Sequence, residues 1–457
     1  MATLDIEILE GLVGDGEIDT VLCVFPDLQG RLMGKRVTGK YFVDDIVGRE
    51  GLHACLYLLA LDMEMEPRPG YTFANWETGY GDFRLAPDMA TLRPVPWLDK
   101  TAMVVCDVLE EHEDVPVEVA PRQILKRQIE AAKKAGYTFQ MGSEIEFYLF
   151  KDGFDEARRR AYKQMQPQSE YIQDYHILQT TKDEWIIRQI RRGMDAAGIP
   201  VEFSKGEFGR GQNEINLRYA DPLEMADRHT LYKNGVKEIC ALNDISATFM
   251  AKWSMDEAGS SCHIHTSLWD AEGREPLMWD ERSGDRISES GRRFLGGVLS
   301  TAREMCWMYA PTVNSYKRFQ AASWAPTAIA IGHDNRTCGL RLVGEGDSFR
   351  VESRIPGADA NPYFAFAATI AGGLHGLEND VAFPGLYVGN AYEAADLPRV
   401  PFSLHEAIDC FRASEVARCA FGDEVFEHLV HTAVLEQFAF DNEAVTDWEL
   451  MRYFERI

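Results

Sequence analysis

Four short segments of the chain carry polar or charged side chains at alternate positions. They are Met141-Gly-Ser-Glu-Ile-Glu-Phe-Tyr148, Glu207-Phe-Gly-Arg-Gly-Gln-Asn-Glu214, Ser261-Cys-His-Ile-His-Thr-Ser267 and Phe349-Arg-Val-Glu-Ser-Arg354. Each reads as a strand, and in a strand residues two apart share a face. That pairs Glu144 with Glu146, His263 with His265, and Arg350 with Glu352 and Arg354; Ile145, Phe147, Ile264 and Val351 fall on the opposite faces, where they can enter a core. Carboxylates on an otherwise apolar strand are costly to bury unless a cation or hydrogen bonds compensate them. Repeated over four segments, the pattern points to a cation site.

Carboxylates with one imidazole and no cysteine suit a hard ion, Mg²⁺ or Mn²⁺, better than zinc. Glu144, Glu146, Glu207, Glu214, His263 and Glu352 would divide between two ions. Two ions beside arginines meet the needs of phosphoryl transfer to a carboxylate, in which charge on the equatorial oxygens must be neutralised and the reactants oriented. Taken singly, each glutamate reads better as a salt-bridge partner, and His263 or His265 better as a hydrogen-bonded structural histidine. Six such residues accompanied by Arg318, Arg336, Arg341 and Arg354 are harder to explain as independent pairs.

The elements that must position them are set by periodicity and punctuation. A chain of 457 residues with 46% apolar content exceeds one ordinary core, so two domains are expected. Residues 4–12 read as a short amphipathic helix, and 19–25 and 31–37 as a hairpin around Pro26-Asp-Leu-Gln-Gly30. Strand-like runs come next at 51–66 and 90–108. Pro121 opens a helix over 122–134 that Gly136 stops, and the domain boundary is placed just before it, near residue 114. Beyond it, strands mix with long helices over 182–198, 222–242, 286–309, 361–378 and 403–420. The basic stretch 155–163 reads as a solvated helix face.

The net charge of −26 argues against nucleic-acid or anionic-membrane partners, though not against nucleotides held through a metal and a few arginines. Nine scattered cysteines without a CxxC pair read as reduced thiols. No signal peptide or membrane-length apolar run is evident, so a soluble cytoplasmic enzyme is expected.

At this level of detail the chain resembles the class I glutamine synthetases over most of its length. Seven motifs in order carry the resemblance: Met141-Gly-Ser-Glu-Ile-Glu146, Gly211-Gln-Asn-Glu214, Phe249-Met-Ala-Lys252 with Gly259-Ser-Ser-Cys-His-Ile-His265, Asn314-Ser-Tyr-Lys-Arg318, Asp334-Asn-Arg336, Arg350-Val-Glu-Ser-Arg354 and Asn361-Pro-Tyr363. The resemblance implies an α+β fold: an N-terminal β-grasp domain over 1–114, and a catalytic domain over 115–457 whose antiparallel sheet lines a funnel. It also implies a dodecamer of two stacked hexameric rings with active sites between subunits. By the same resemblance Glu146, Glu207 and Glu214 would hold the metal near the glutamate carboxylate, and Glu144, His263 and Glu352 the metal on the ATP phosphates. His265, Ser267, Arg341 and Arg350 would contact those phosphates, with Tyr219 packing on adenine and Glu202 approaching the nucleotide. Gly259, Arg318 and Arg354 match the glutamate pocket, and Arg336 matches the arginine that stabilises the transferred group.

The departures from the ammonia-using members concern the nucleophile. The flap glutamate that closes the site and takes a proton from ammonium is replaced in Gln320-Ala-Ala-Ser-Trp-Ala-Pro326 by Trp324. The family's ammonium-binding aspartate, contributed by a neighbouring subunit, has no acid to match it in Gly51-Leu-His-Ala-Cys-Leu-Tyr57. Ala258 replaces an asparagine before the glutamate-side glycine, and Lys205 a histidine two residues before Glu207. Without those acids ammonium binds weakly, whereas a primary amine gains about 0.8 kcal/mol for each CH₂ it buries. The implied activity is therefore that of the γ-glutamylamine ligases, which join glutamate to a mono- or polyamine such as ethanolamine or putrescine. The competing readings are an ordinary glutamine synthetase and a non-catalytic assembly protein. His53, expected to face a neighbour's site, is a candidate base for the amine, against a reading as a buried structural histidine. Tyr392, near the position modified in regulated members, reads as a surface-loop tyrosine.

Overall fold

The computed structural model describes residues 4–49 and 51–456; residues 1–3, at the head of the expected first domain, and 50 and 457 lie outside it. Two sheets organise the chain. The first has six strands, all before residue 111, in the order Leu32–Thr38, Thr20–Pro26, Thr101–Glu110, Asp82–Pro87, Leu52–Cys55, with Arg93–Pro94 paired to Thr101–Glu110. The hairpin pairs antiparallel from Thr20 opposite Thr38 to Pro26 opposite Leu32. Gly30 closes its turn at φ +74°, where a residue without Cβ is favoured. The 51–66 run yields only the strand Leu52–Cys55 and the 3₁₀ turn Leu56–Leu59, because the acids and prolines after Leu61 break the alternation.

The second sheet has eight strands. Its path runs Ile331–His333, Leu340–Val343, Arg350–Ser353, Cys262–Asp270, Tyr137–Phe150, Gln212–Leu217, Val201–Gly206, with Ser246–Thr248 joined to the far end of Tyr137–Phe150. All pairs are antiparallel except Ile331–His333 with Leu340–Val343. One face is apolar: Ile145, Phe147, Ile215, Ile264 and Val351 are buried, the helices Pro121–Lys134 and Pro222–Leu242 pack on the strand Tyr137–Phe150, and Pro362–Glu378 packs against those helices. Pro362–Glu378 is buried on nearly every side, which explains its apolar composition.

Three expected elements take a different form. The segment 207–214 is not one strand: Glu207 lies in the turn between Val201–Gly206 and Gln212–Leu217. The helix expected over 286–309 divides into Glu289–Thr301 and Cys306–Tyr309, and that over 403–420 into Leu404–Arg412 and Glu415–Phe421, the latter capped by Ser414. Buried polar contacts tie the chain before residue 111 to the rest of the protein. Arg122 pairs with Asp88 at 2.7 Å, Asp107 at 2.6 Å and Asp227 at 2.9 Å, and Asn361 Nδ2 donates to the Leu28 carbonyl at 3.1 Å.

Candidate active site

The strand register assembles the polar face of the eight-stranded sheet. Directly opposed residues on adjacent strands share a face about 5 Å apart. One row runs Arg341, Glu352, His265 across three strands; the next places His263 opposite Glu144; a third runs Glu146, Glu214, Lys205. Glu207 enters from its turn, so that Glu146, Glu207 and Glu214 present oxygens within 4.8 Å of one another.

That cluster is built to receive charge. Glu146 accepts from the Ser261 N–H at 2.9 Å, the Ser261 hydroxyl at 2.6 Å and Gln212 Nε2 at 2.9 Å. Burial and the neighbouring Glu207 carboxylate nevertheless push its pKa up to about 8. Glu214, 1% exposed, is pushed up to about 11 by burial and then by Glu144 and Glu207; its Oε2 has no hydrogen-bond donor. Buried carboxylates crowded in this way fit a hard divalent cation. The Lys205 ammonium occupies the same space, in ion-pair contact with Glu207 and 3.6 Å from Glu214 Oε2.

The second set is already paired internally. His263 Nδ1 lies 2.8 Å from Glu144 and 3.8 Å from Glu352, and His265 Nε2 lies 3.4 Å from Glu144. The histidines hold the Glu144 carboxyl well below its ordinary value against the opposing effect of burial. Glu352 lies between Arg354, in contact with Oε1, and Arg341, 2.7 Å from Oε2. Arg341 also reaches Asp334 at 3.0 Å.

Around these clusters the cleft wall carries Gly259, Arg318, Trp324, Arg336 and Arg354. At Gly259 a Cβ would lie 2.5 Å from Arg318 Cγ and 2.8 Å from the Ala251 carbonyl, so only glycine lets the backbone pass there. Arg318 is 3% exposed, burial lowers its pKa to about 10, and its Nε and that of Arg354 lack acceptors. Buried guanidinium donors without acceptors suit a carboxylate ligand. Arg336 is exposed and has no ion pair among the described residues. Trp324 is 58% exposed at φ +64°, and its carbonyl accepts from Arg354 Nη2 at 3.3 Å.

A second cavity continues from Glu144 along the sheet; Glu202, Tyr219, His265, Ser267 and Arg350 line it, while Arg341 lines the first. Tyr219 and Glu202 are exposed there, and Arg350 Nε donates to His265 Nδ1 at 3.2 Å. His53 is half-buried in the other sheet and, with the rest of 51–57, does not line this cleft within one chain. Tyr392 is not a plain surface tyrosine: it is half-buried and donates to the Ala325 carbonyl at 3.0 Å, pinning the loop that carries Trp324.

Sequence reasoning passed over two residues. Ser261 orients Glu146, and its place two residues before His263 on the same strand face was the available signal. Phe203 lines both cavities, one position after Glu202.

Fold and cleft together define a carboxylate-rich phosphoryl-transfer architecture, and residues 118–453 match the glutamine synthetase catalytic domain. The chain belongs to the glutamine synthetase family. It is 48% identical over 454 residues to a gamma-glutamylethanolamide synthetase of Streptomyces coelicolor, covering 99% of this chain and 96% of that one. It is also 39% identical over 443 residues to a glutamate–isopropylamine ligase of a Pseudomonas species, covering 96% of each. The solved structure of a GmaS/ADP complex superposes with a TM-score of 0.84 at 27% identity, covering 98% of this chain and 99% of that one.

Proposed function

We infer that the protein is an ATP-dependent carbon–nitrogen ligase that joins the γ-carboxylate of glutamate to a primary amine. One observation carries the reading. The cleft keeps a full set of crowded carboxylates and open arginines, yet presents exposed Trp324 where ammonia-using relatives carry a proton-accepting glutamate. The likeness to enzymes named for ethanolamine and isopropylamine supports it. It is not the pattern of an ammonia enzyme, and a non-catalytic relative would have no need of the charge-strained cluster.

In this reading Glu146, Glu207 and Glu214 hold one Mg²⁺ or Mn²⁺ and Glu144, His263 and Glu352 another; such ions neutralise charge on the transferring phosphoryl group. The open donors of Arg318 and Arg354 receive the glutamate carboxylate against Gly259. Tyr219, Glu202, His265, Ser267 and Arg350 receive ATP in the adjoining cavity, and Arg341 meets its phosphates from the first. The γ-carboxylate of glutamate attacks the γ-phosphorus and ADP leaves, giving γ-glutamyl phosphate, with Arg336 and Arg354 facing the developing charge. The amine then attacks the acyl carbon, loses a proton, and phosphate departs. Trp324 packs against the amine's carbon chain or shapes its entrance, and the Tyr392 hydrogen bond to Ala325 holds that wall in place.

The reading carries with it a domain division near residue 114, a double-ringed dodecamer and a cytoplasmic location. In that assembly residues 51–57, with His53, face a neighbour's cleft. No described helix is long and apolar enough to cross a membrane. Glutamate labelled with ¹⁸O in its γ-carboxylate tests the chemistry. With ATP, Mg²⁺ and ethanolamine, one ¹⁸O should appear in the released phosphate, and unlabelled phosphate would exclude the acyl phosphate.

A further inference from the structure

A cavity that shares no lining residue with the catalytic cleft is walled by the turn at 29–32, the helix Pro222–Leu242 and residues 248–250. We propose that it binds a small oxyanion, a phosphate or a carboxylate, on Lys233 and Lys237. These lysines lie one turn apart on the helix and so project from the same side. Their Nζ atoms approach the same ring, 5.5 and 5.9 Å from the centre of Phe249. Neither has an ion-pair partner among the described residues, and the one hydrogen bond of Lys233 goes to the Ala358 carbonyl at 2.7 Å.

The other charged groups facing the cavity offset the two lysines only in part. Arg31 adds a third cation, itself paired with Asp27 at 2.7 Å. Asp359 also lines the wall: its Oδ2 accepts from the hydroxyls of Thr312 at 3.0 Å and Ser315 at 2.5 Å, while its Oδ1 has no donor and its charge partly offsets that of Lys233, one carboxylate against two lysines. Two ammonium groups brought to one ring in a partly desolvated space repel each other, and burial together with Lys237 lowers the Lys233 pKa to about 8. In a chain of net charge −26, two lysines against a single carboxylate are a local inversion of the protein's field. Lysine ammonium is a point charge that takes phosphate or carboxylate alike, so the two sources share one chemistry. The site abuts the catalytic cleft without belonging to it: the Ala358 N–H donates to the Ser260 carbonyl at 3.1 Å, beside Gly259.

The test is calorimetric titration of the full chain at low ionic strength, with the catalytic cleft saturated by Mg²⁺, ADP and glutamate. Inorganic phosphate and succinate are the two probes. Binding of either at one per chain is expected, phosphate alone or succinate alone assigning the source. Lys237→Met, at a solvent-open position where folding should be unaffected, should weaken it at least tenfold, and Lys233→Met should do the same. No binding of either probe once the cleft is saturated, or binding that neither substitution weakens, overturns the proposal.

Discussion

Lys205→Met should make the metal-free protein less stable and more responsive to metal. The Lys205 ammonium touches Glu207 and lies 3.6 Å from Glu214 Oε2, inside a cluster whose third member is Glu146. The ammonium and the Glu207 carboxylate in contact with it attract by about 4 kcal/mol at an effective dielectric near 20. Desolvation of the pair offsets much of this, leaving a net effect on the order of 2 kcal/mol. Removing the ammonium leaves three carboxylates without a resident cation, so in EDTA the melting temperature should fall by a few °C. An incoming Mn²⁺ then no longer competes with the lysine, so its stabilising effect should grow by a similar amount. Differential scanning fluorimetry of wild type and variant, in EDTA and across a Mn²⁺ series, reads both quantities. A variant that melts with wild type in EDTA and gains no more from Mn²⁺ would refute the view of Lys205 as an internal counter-cation.

Glu207→Ala or Glu352→Ala should abolish amine-dependent phosphate release while the protein still folds and assembles, and near wild-type turnover at ordinary Mg²⁺ would remove that residue from the site. Trp324→Ala should blur selectivity among amines in competition assays with little change in the KM for ATP. Trp324→Glu should raise ammonia use only modestly, since no second acid is present in residues 51–57; a full switch to ammonia would contradict this. The metal-free protein should lose stability as pH rises. Glu146 ionises near 4.5 when unfolded but only near 8 when folded, so the folded state binds the extra proton between those values. The gain in melting temperature on adding Mg²⁺ should therefore increase from pH 5.5 to 8, and a gain constant with pH would show that Glu146 is not strained.

Much of the site was legible because strands impose a period of two. Alternation alone put Glu144 with Glu146 and His263 with His265, and the register then set His263 opposite Glu144 without any further signal. Glu207 was harder to read: the same alternation continues from the strand Val201–Gly206 through a turn, and side-chain pattern does not reveal where pairing stops. Lys205 was visible as an unusual residue, but its contact with two carboxylates depends on the pairing that sets it opposite Glu214. Tyr392 lies 67 positions from Ala325 in sequence, and no local pattern reports so distant a hydrogen bond. The helix breaks near 302–305 and at 413–414 were likewise missed, because apolar residues continue across them with helical spacing. Serine at 414 was the cue for a new N-terminus.

In the proposed function the electrophile-forming half of this enzyme is intact and its nucleophile site accepts a carbon-bearing amine. The most direct measurement is phosphate release from ATP with Mg²⁺ and glutamate near neutral pH, comparing ammonia, ethanolamine, short alkylamines and putrescine at equal concentrations. At least one of the carbon-bearing amines should be used with a higher kcat/KM than ammonia. A preference for ammonia over every one of them would contradict it.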